Sequence, residues 1–336
     1  MSMIRPRRAS RREFIQHTGT LAGSALTVGI AGSAEGAPAQ AAGQPAPATA
    51  ANLTKTQKLR ALLTRPGLLH APEGYTVIAA KLAEAHGFDA IYIGGNMMSG
   101  TYLGLPDWGV ISNVEMIDIG GRIAREVSIP TIVDADRGGE TALNVYRTVQ
   151  QYEKAGFAAL HIEDLLNPKL HPEERKRIFP GDPMGLESVE RMSVRIRAAL
   201  DARTDPNFAI VARTLETEVD KIIARGKAYA KVGADLFMNN FTGLTAGEVD
   251  RIGREVPIPI VGINVPLRDR GTQLKVNVYA NLVSAPAAGL ADALMRELKE
   301  KGEVASRPTL TEDTNIRLKN EQKLGQLAVD WAEAGR

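Results

Sequence analysis

Asp134, Asp136 and Glu163 are the residues of this chain whose type and spacing suit shared chemistry. Each ends an apolar run: residues 129–133 lead into Asp134 and Asp136, and residues 157–162 lead into Glu163. Nearly continuous apolar runs read as strands buried on both faces, and the amphipathic stretch between them reads as a crossover helix. Parallel neighbours align their C-terminal ends, so the three acids are expected to converge on one rim. Hard oxygen donors gathered in this way suit a divalent cation, Mg2+ before others, with Mn2+ as its substitute.

Such convergence needs a scaffold, and the rest of the chain supplies its rhythm. Strands are predicted over residues 67–71, 89–93, 129–133, 158–162, 208–213, 234–238, 258–264 and 275–282. Helices are predicted over 54–63, 76–86, 113–127, 141–154, 186–202, 216–231, 246–256 and 286–299, with a long polar loop at 167–185. Eight strands alternating with helices favour a closed (β/α)8 barrel over an open doubly wound sheet. The division is a leader at 1–41, a linker at 42–53, a catalytic barrel at 54–304 and a helical tail at 305–336. The tail has a helical stretch near 324–332 without a large apolar face of its own, which suits packing on a neighbouring subunit.

Composition narrows the function classes. The 336 residues are 44% hydrophobic and 24% charged with net charge +2, which suggests neither nucleic acid nor an anionic membrane as partner. Absence of cysteine removes disulfides, thiolate metal sites and a cysteine acid together. The positive charge is concentrated at the start. Arg5, Arg7, Arg8, Arg11 and Arg12 precede a weakly apolar run over 19–34 and an Ala/Pro/Gln-rich tract with small residues near Ala39-Gln40-Ala41. That is a secretory layout, and Ser10-Arg11-Arg12-Glu13-Phe14 resembles the twin-arginine export signal. The expected location is periplasmic or secreted, with no membrane anchor after processing.

A family resemblance emerges from several motifs in order. Tyr92-Ile93-Gly94-Gly95, Leu103-Gly104-Leu105-Pro106-Asp107, Asp134-Ala135-Asp136, Asn144-Val145-Tyr146-Arg147, His161-Ile162-Glu163-Asp164 and Ala212-Arg213-Thr214 resemble the isocitrate lyase/phosphoenolpyruvate mutase superfamily. The branch they are most similar to is that of methylisocitrate lyase and oxaloacetate decarboxylase. The resemblance implies a (β/α)8 barrel, often with its last helix exchanged between subunits of a tetramer. It implies action on small 2-oxo or 2-hydroxy acids through a Mg2+-bound pyruvate enolate. By the same resemblance Asp134, Asp136, Glu163 and Asp107 are the metal-sphere acids. Tyr92 and the Gly94 and Gly95 amides are substrate-binding, Arg213 binds the 2-oxo acid, and His161 supports the site.

Departures from the pattern fall where branches differ. The loop after the fourth strand keeps Lys169 at the place of the family lysine but carries His171 where lyases have a cysteine; a histidine there is a candidate proton donor. Arg137 follows Asp136, where it would bind a second substrate carboxylate or neutralise the acids. Gly94 replaces a frequent serine, and Asn240 lies about where lyases carry a glutamate. The expected activity is cleavage or decarboxylation of a dicarboxylate of the isocitrate, methylisocitrate or oxaloacetate type. The alternatives are P–C chemistry on phosphonopyruvate, as mutase or hydrolase, and an exported binding protein for 2-oxo acids without turnover.

Overall fold

The computed structural model describes residues 53–170, 172–181, 185–305 and 307–334. The expected leader, nearly all of the linker, and His171 lie outside the described residues.

Eight parallel strands form the wall: β1 (Leu69–Ala71), β2 (Ile91–Ile93), β3 (Thr131–Asp134), β4 (Ala159–Glu163), β5 (Ala209–Arg213), β6 (Leu236–Asn239), β7 (Ile260–Ile263) and β8 (Leu274–Val278). They pair in the order β1-β8-β7-β6-β5-β4-β3-β2. Two backbone bonds bring the ends of this sheet together: Tyr92 N donates to Pro72 O and Gly74 N to Tyr92 O, both at 2.9 Å. The (β/α)8 expectation therefore holds. Helices α1 (Lys55–Thr64), α2 (Val77–Ala85), α4 (Asn113–Arg125), α5 (Ala142–Ala155), α7 (Val189–Ala202), α8 (Val219–Val232) and α9 (Ala246–Glu255) accompany the strands. Short helices α3 (Gly95–Met98) and α6 (Pro172–Ile178) lie in connections read from sequence as open.

Local chemistry explains where these elements start and stop. Thr54 with Gln57, Ser112 with Glu115, Thr141 with Asn144 and Thr245 with Glu248 form reciprocal capping boxes that satisfy the first free amides of α1, α4, α5 and α9. Gly156 and Gly233 end α5 and α8 in the left-handed conformation, which costs a glycine little. β7 starts two residues later than predicted because Pro259 has no amide to donate to the ladder, leaving only its carbonyl to accept from Phe237. The core is the interior of the wall and the helix faces against it, with Ile91, Ile93, Leu160, Ile162, Ile210, Phe237 and Val276 all below 1% exposed.

The C-terminal part is different. α10 (Ser284–Lys301) buries none of its residues and exposes Leu290, Met295 and Leu298. Its start is hooked by the buried Glu73 carboxylate, which accepts from Val283 N at 2.6 Å, Ser284 N at 3.0 Å and the Ser284 hydroxyl. α11 (Glu312–Leu318) and α12 (Glu321–Ala334) follow, so the tail holds two helices where one was expected. Among the described residues no helix is long and apolar enough to cross a membrane.

Candidate active site

Register decides which side chains meet. β3 and β4 pair with Asp134 beside His161, and β4 and β5 pair with Glu163 beside Arg213. Residues two apart on a strand share a face, so His161 and Glu163 leave β4 in the same direction. Beyond β3 the chain turns with Asp136 at φ 49°, an uncommon conformation for a residue other than glycine. The Asp136 amide donates to Asp134 Oδ1 at 2.8 Å, which fixes the turn.

Asp107, Asp134, Asp136 and Glu163 are thus brought into one cluster, and Lys169 reaches into it from the loop after β4. Its ammonium contacts Asp136 and lies 2.9 Å from Glu163 Oε1 and 3.9 Å from Asp107 Oδ1. Arg213 Nη1 is 2.9 Å from Glu163 Oε2, and its Nη2 donates to Asn240 Oδ1 at 3.1 Å. Below the acids, the Tyr92 hydroxyl lies 3.0 Å from His161 Nε2, whose Nδ1 is 3.6 Å from Asp134 Oδ1. Proximity of Nδ1 to a carboxylate favours the tautomer protonated there, so Nε2 accepts from Tyr92.

Glycine permits this crowding at two positions. A Cβ on Gly95 would lie 3.2 Å from Asp134 Oδ2 and 3.4 Å from Asp107 Oδ1. A Cβ on Gly94 would meet the Tyr92 ring at 2.9 Å, a physical reason for glycine in place of serine. The expectation that both amides hold a substrate carboxylate is corrected for Gly95, whose amide donates to Asp134 Oδ2 at 3.1 Å.

Arg137 is also redirected. It is buried, with Nη2 3.2 Å from Glu187 and Nη1 3.9 Å from Glu140. It neutralises these acids rather than those of the cluster, and Glu187 was not singled out from sequence. Arg195 pairs with the same carboxylate at 2.7 Å and donates to the Arg137, Gly139 and Glu140 carbonyls. The only sequence signal for Glu187 was an acid at the start of a predicted helix, which is an ordinary capping pattern.

The cluster is short of positive charge. Four carboxylates face Lys169 and Arg213, because burial holds the His161 pKa down to about 4 and leaves the imidazole neutral near pH 7. Asp136 registers the excess: burial, then the neighbouring Asp134 charge, raises its pKa to about 7 despite Lys169. Burial also raises Asp107. Burial would raise Asp134 and Glu163 too, but for Asp134 the adjoining His161, then Lys169, Arg213 and the Asp136 amide, and for Glu163 Lys169 and Arg213, hold both below the usual range. The acids in turn hold Lys169 protonated in spite of its burial, and burial keeps the Tyr92 phenol protonated.

Mg2+ is the ion these residue types suggest, and the fit has two sides. Among the described residues no three acid or histidine side chains are arranged to hold a metal ion, because the Lys169 ammonium takes the point on which the carboxylates close. The expectation of an open ion site is corrected to that extent. The donor set nevertheless fits. Four acidic side chains face two cations, and buried Asp107 Oδ1 has no hydrogen-bond donor. Hard carboxylate oxygens in excess of the cations around them are the donors a divalent ion of this kind takes.

Comparison with known proteins agrees with this geometry. The family model of phosphoenolpyruvate phosphomutase matches residues 59–300. The 2,3-dimethylmalate lyase of Eubacterium barkeri is 37% identical over 206 residues, covering 60% of this chain and 68% of that protein. An oxaloacetate decarboxylase of Pseudomonas aeruginosa is 36% identical over 264 residues, covering 75% and 88% respectively. A crystal structure of a phosphonopyruvate hydrolase complexed with oxalate and Mg++ superposes with a TM-score of 0.72 at 27% identity, covering 82% of this chain and 99% of that one. The resemblance read from strand-end motifs is therefore one of descent, and the chain belongs to the phosphoenolpyruvate mutase/isocitrate lyase superfamily.

Proposed function

We propose that the protein is a Mg2+-dependent carbon–carbon lyase that cleaves or decarboxylates a small 2-oxo or 2-hydroxy dicarboxylate. The observation that carries this reading is the Arg213 guanidinium beside Glu163, at the edge of a cluster in which four acids face two cations. The relatives named 2,3-dimethylmalate lyase and oxaloacetate decarboxylase support the same bond type.

Asp134, Asp136, Glu163 and Asp107 would hold the ion, which when bound supplies a Lewis acid for the negative charge that develops as a bond beside a carbonyl breaks. The protein's own groups do the remaining work. Arg213 has a buried Nε without an acceptor and is fixed by Glu163 and Asn240, so it can take a substrate carboxylate without reorganising. Tyr92, kept protonated and anchored on His161, presents a polar edge beneath the acids. With oxaloacetate, the C3–C4 bond breaks, CO2 leaves, and the electron pair is delocalised onto the C2 oxygen. A proton then returns to C3 and gives pyruvate. This route needs no base on a substrate hydroxyl, and water can return the proton, so the chain's lack of cysteine is no obstacle.

A panel of oxaloacetate, 2-methylisocitrate and 2,3-dimethylmalate, assayed with Mg2+ and with chelator, tests the reading. Metal-dependent cleavage of one of them is expected. Cleavage of phosphonopyruvate alone, followed by phosphorus NMR, would move the protein to P–C chemistry, a reading favoured by its likeness to the phosphonopyruvate hydrolase structure. Tight oxalate binding without turnover of any acid would make it a binding protein.

Two further readings belong to the same proposal. Export by the twin-arginine route rests on residues 10–14, and cell fractionation before and after changing Arg11 and Arg12 to lysine tests it. A homotetramer with exchanged C-terminal helices rests on α10, which buries nothing in its own chain. Light scattering of the full chain against a form ending at Ala280 tests that.

A further inference from the structure

Among the described residues, Lys169 is the one cation that reaches the acid cluster from a loop and not from the barrel wall. Its side chain is only 7% exposed, and its ammonium touches Asp136 while lying within ion-pair distance of Glu163 and Asp107. A buried ammonium needs such partners, and buried carboxylates need such an ammonium, since isolated charges are expensive away from water. Arg213 cannot serve in its place, because it is committed to Glu163 Oε2 and Asn240 from the opposite side.

We propose that Lys169 is the built-in counter-cation of the metal-free site, and that its ammonium and the divalent ion occupy the point between Asp107, Asp136 and Glu163 in turn. The inference rests on the metal-dependent reading above. An ammonium and a divalent ion cannot share a point bounded by the same oxygens: at about 4 Å their repulsion is about twice the attraction that the ammonium feels for one carboxylate at that distance. Exchange therefore requires the lysine to withdraw as the ion enters. The loop keeps other attachments that do not depend on the ammonium, since Arg175 donates to the Leu166, Pro168 and Gly185 carbonyls. Lys169 can leave the cluster with the base of its loop still fastened. The arrangement holds the acids together before metal arrives and sets a threshold concentration for loading.

The test uses the full chain and Mn2+ as probe, with free ion followed by electron paramagnetic resonance. Lys169→Met is expected to bind Mn2+ at least roughly tenfold more tightly than the wild type, while Lys169→Arg, which keeps the charge, binds no more tightly. Labelling of the wild type with an amine-reactive acetylating reagent, read by mass spectrometry, gives a second measure that needs no variant. Lys169 is expected to be protected without metal and several-fold more reactive with saturating Mg2+. Mn2+ binding that is equal or weaker in Lys169→Met, or Lys169 labelling that ignores Mg2+ in a protein shown to bind it, would overturn the counter-cation while leaving the metal reading intact. Absence of Mn2+ binding in both wild type and Lys169→Met would overturn both.

Discussion

Glu163 and Asp164 are neighbours in sequence and opposites in setting. Glu163 points into the barrel among three other acids and shares two cations with them. Asp164 points outward and has partners of its own: the Leu215 amide at 3.1 Å, the Tyr229 hydroxyl at 3.0 Å and Arg225 at 3.0 Å. Glu187, farther along the chain, meets Arg137, Arg191 and Arg195. All three carboxylates are buried. What separates them is the balance of charge. Acids matched or outnumbered by donors tie β4, the turn after β3, α7 and α8 together. Among the acids compared here, those left in excess form the cluster that has room for another cation. Burial of a carboxylate is therefore a poor guide to function until its partners are counted.

Three experiments would sharpen or break that contrast. The largest effect is expected at Arg213. Arg213→Ala should lower product formation by about a thousandfold, on the order of 4 kcal/mol of transition-state stabilisation, while Mn2+ binding survives. Activity retained within tenfold would remove Arg213 from the substrate site.

Glu187→Ala should act on the fold instead. Loss of this acid leaves Arg137 and Arg195 buried without their carboxylate, at a cost of roughly 3–5 kcal/mol. Urea unfolding should show that loss, with per-molecule turnover of the folded fraction close to that of the wild type. A stable but inactive variant would mean that the two clusters are not separate in role.

The third effect is a pH dependence with a definite sign. Asp136 has a folded pKa of about 7 against 3.8 for an ordinary aspartate, so between these values the folded protein binds the proton more strongly than the unfolded chain. Metal-free stability should accordingly fall as pH rises from about 4 to about 7 and level off above. For this group the change is on the order of 2–4 kcal/mol. Asp136→Asn should flatten the slope in chemical denaturation. An unchanged slope in Asp136→Asn would show that the surplus charge lies elsewhere.

The barrel was legible in the sequence because each strand is a short apolar run and each helix carries its own start signal, as at Ser112-Glu115 and Thr245-Glu248. Convergence of Asp134, Asp136 and Glu163 followed from parallel strands alone. Three features were not legible, each for a reason of packing. Lys169 sits in a loop, and nothing local says that its ammonium folds back onto acids from two other strand ends. Arg137 follows the acid motif directly, yet the turn sends it to Glu187, a partner 50 residues away. Gly95 was read as a donor for substrate, but Asp134 takes its amide. Charged side chains are long, and their pairing is settled by tertiary neighbours that periodicity does not record.

The most direct test of the account is pyruvate formation from oxaloacetate by the wild type and by Asp134→Ala, each with excess Mg2+ and with chelator. Pyruvate is expected only from the wild type with Mg2+. Pyruvate formed equally with chelator, or equally by Asp134→Ala, would contradict it.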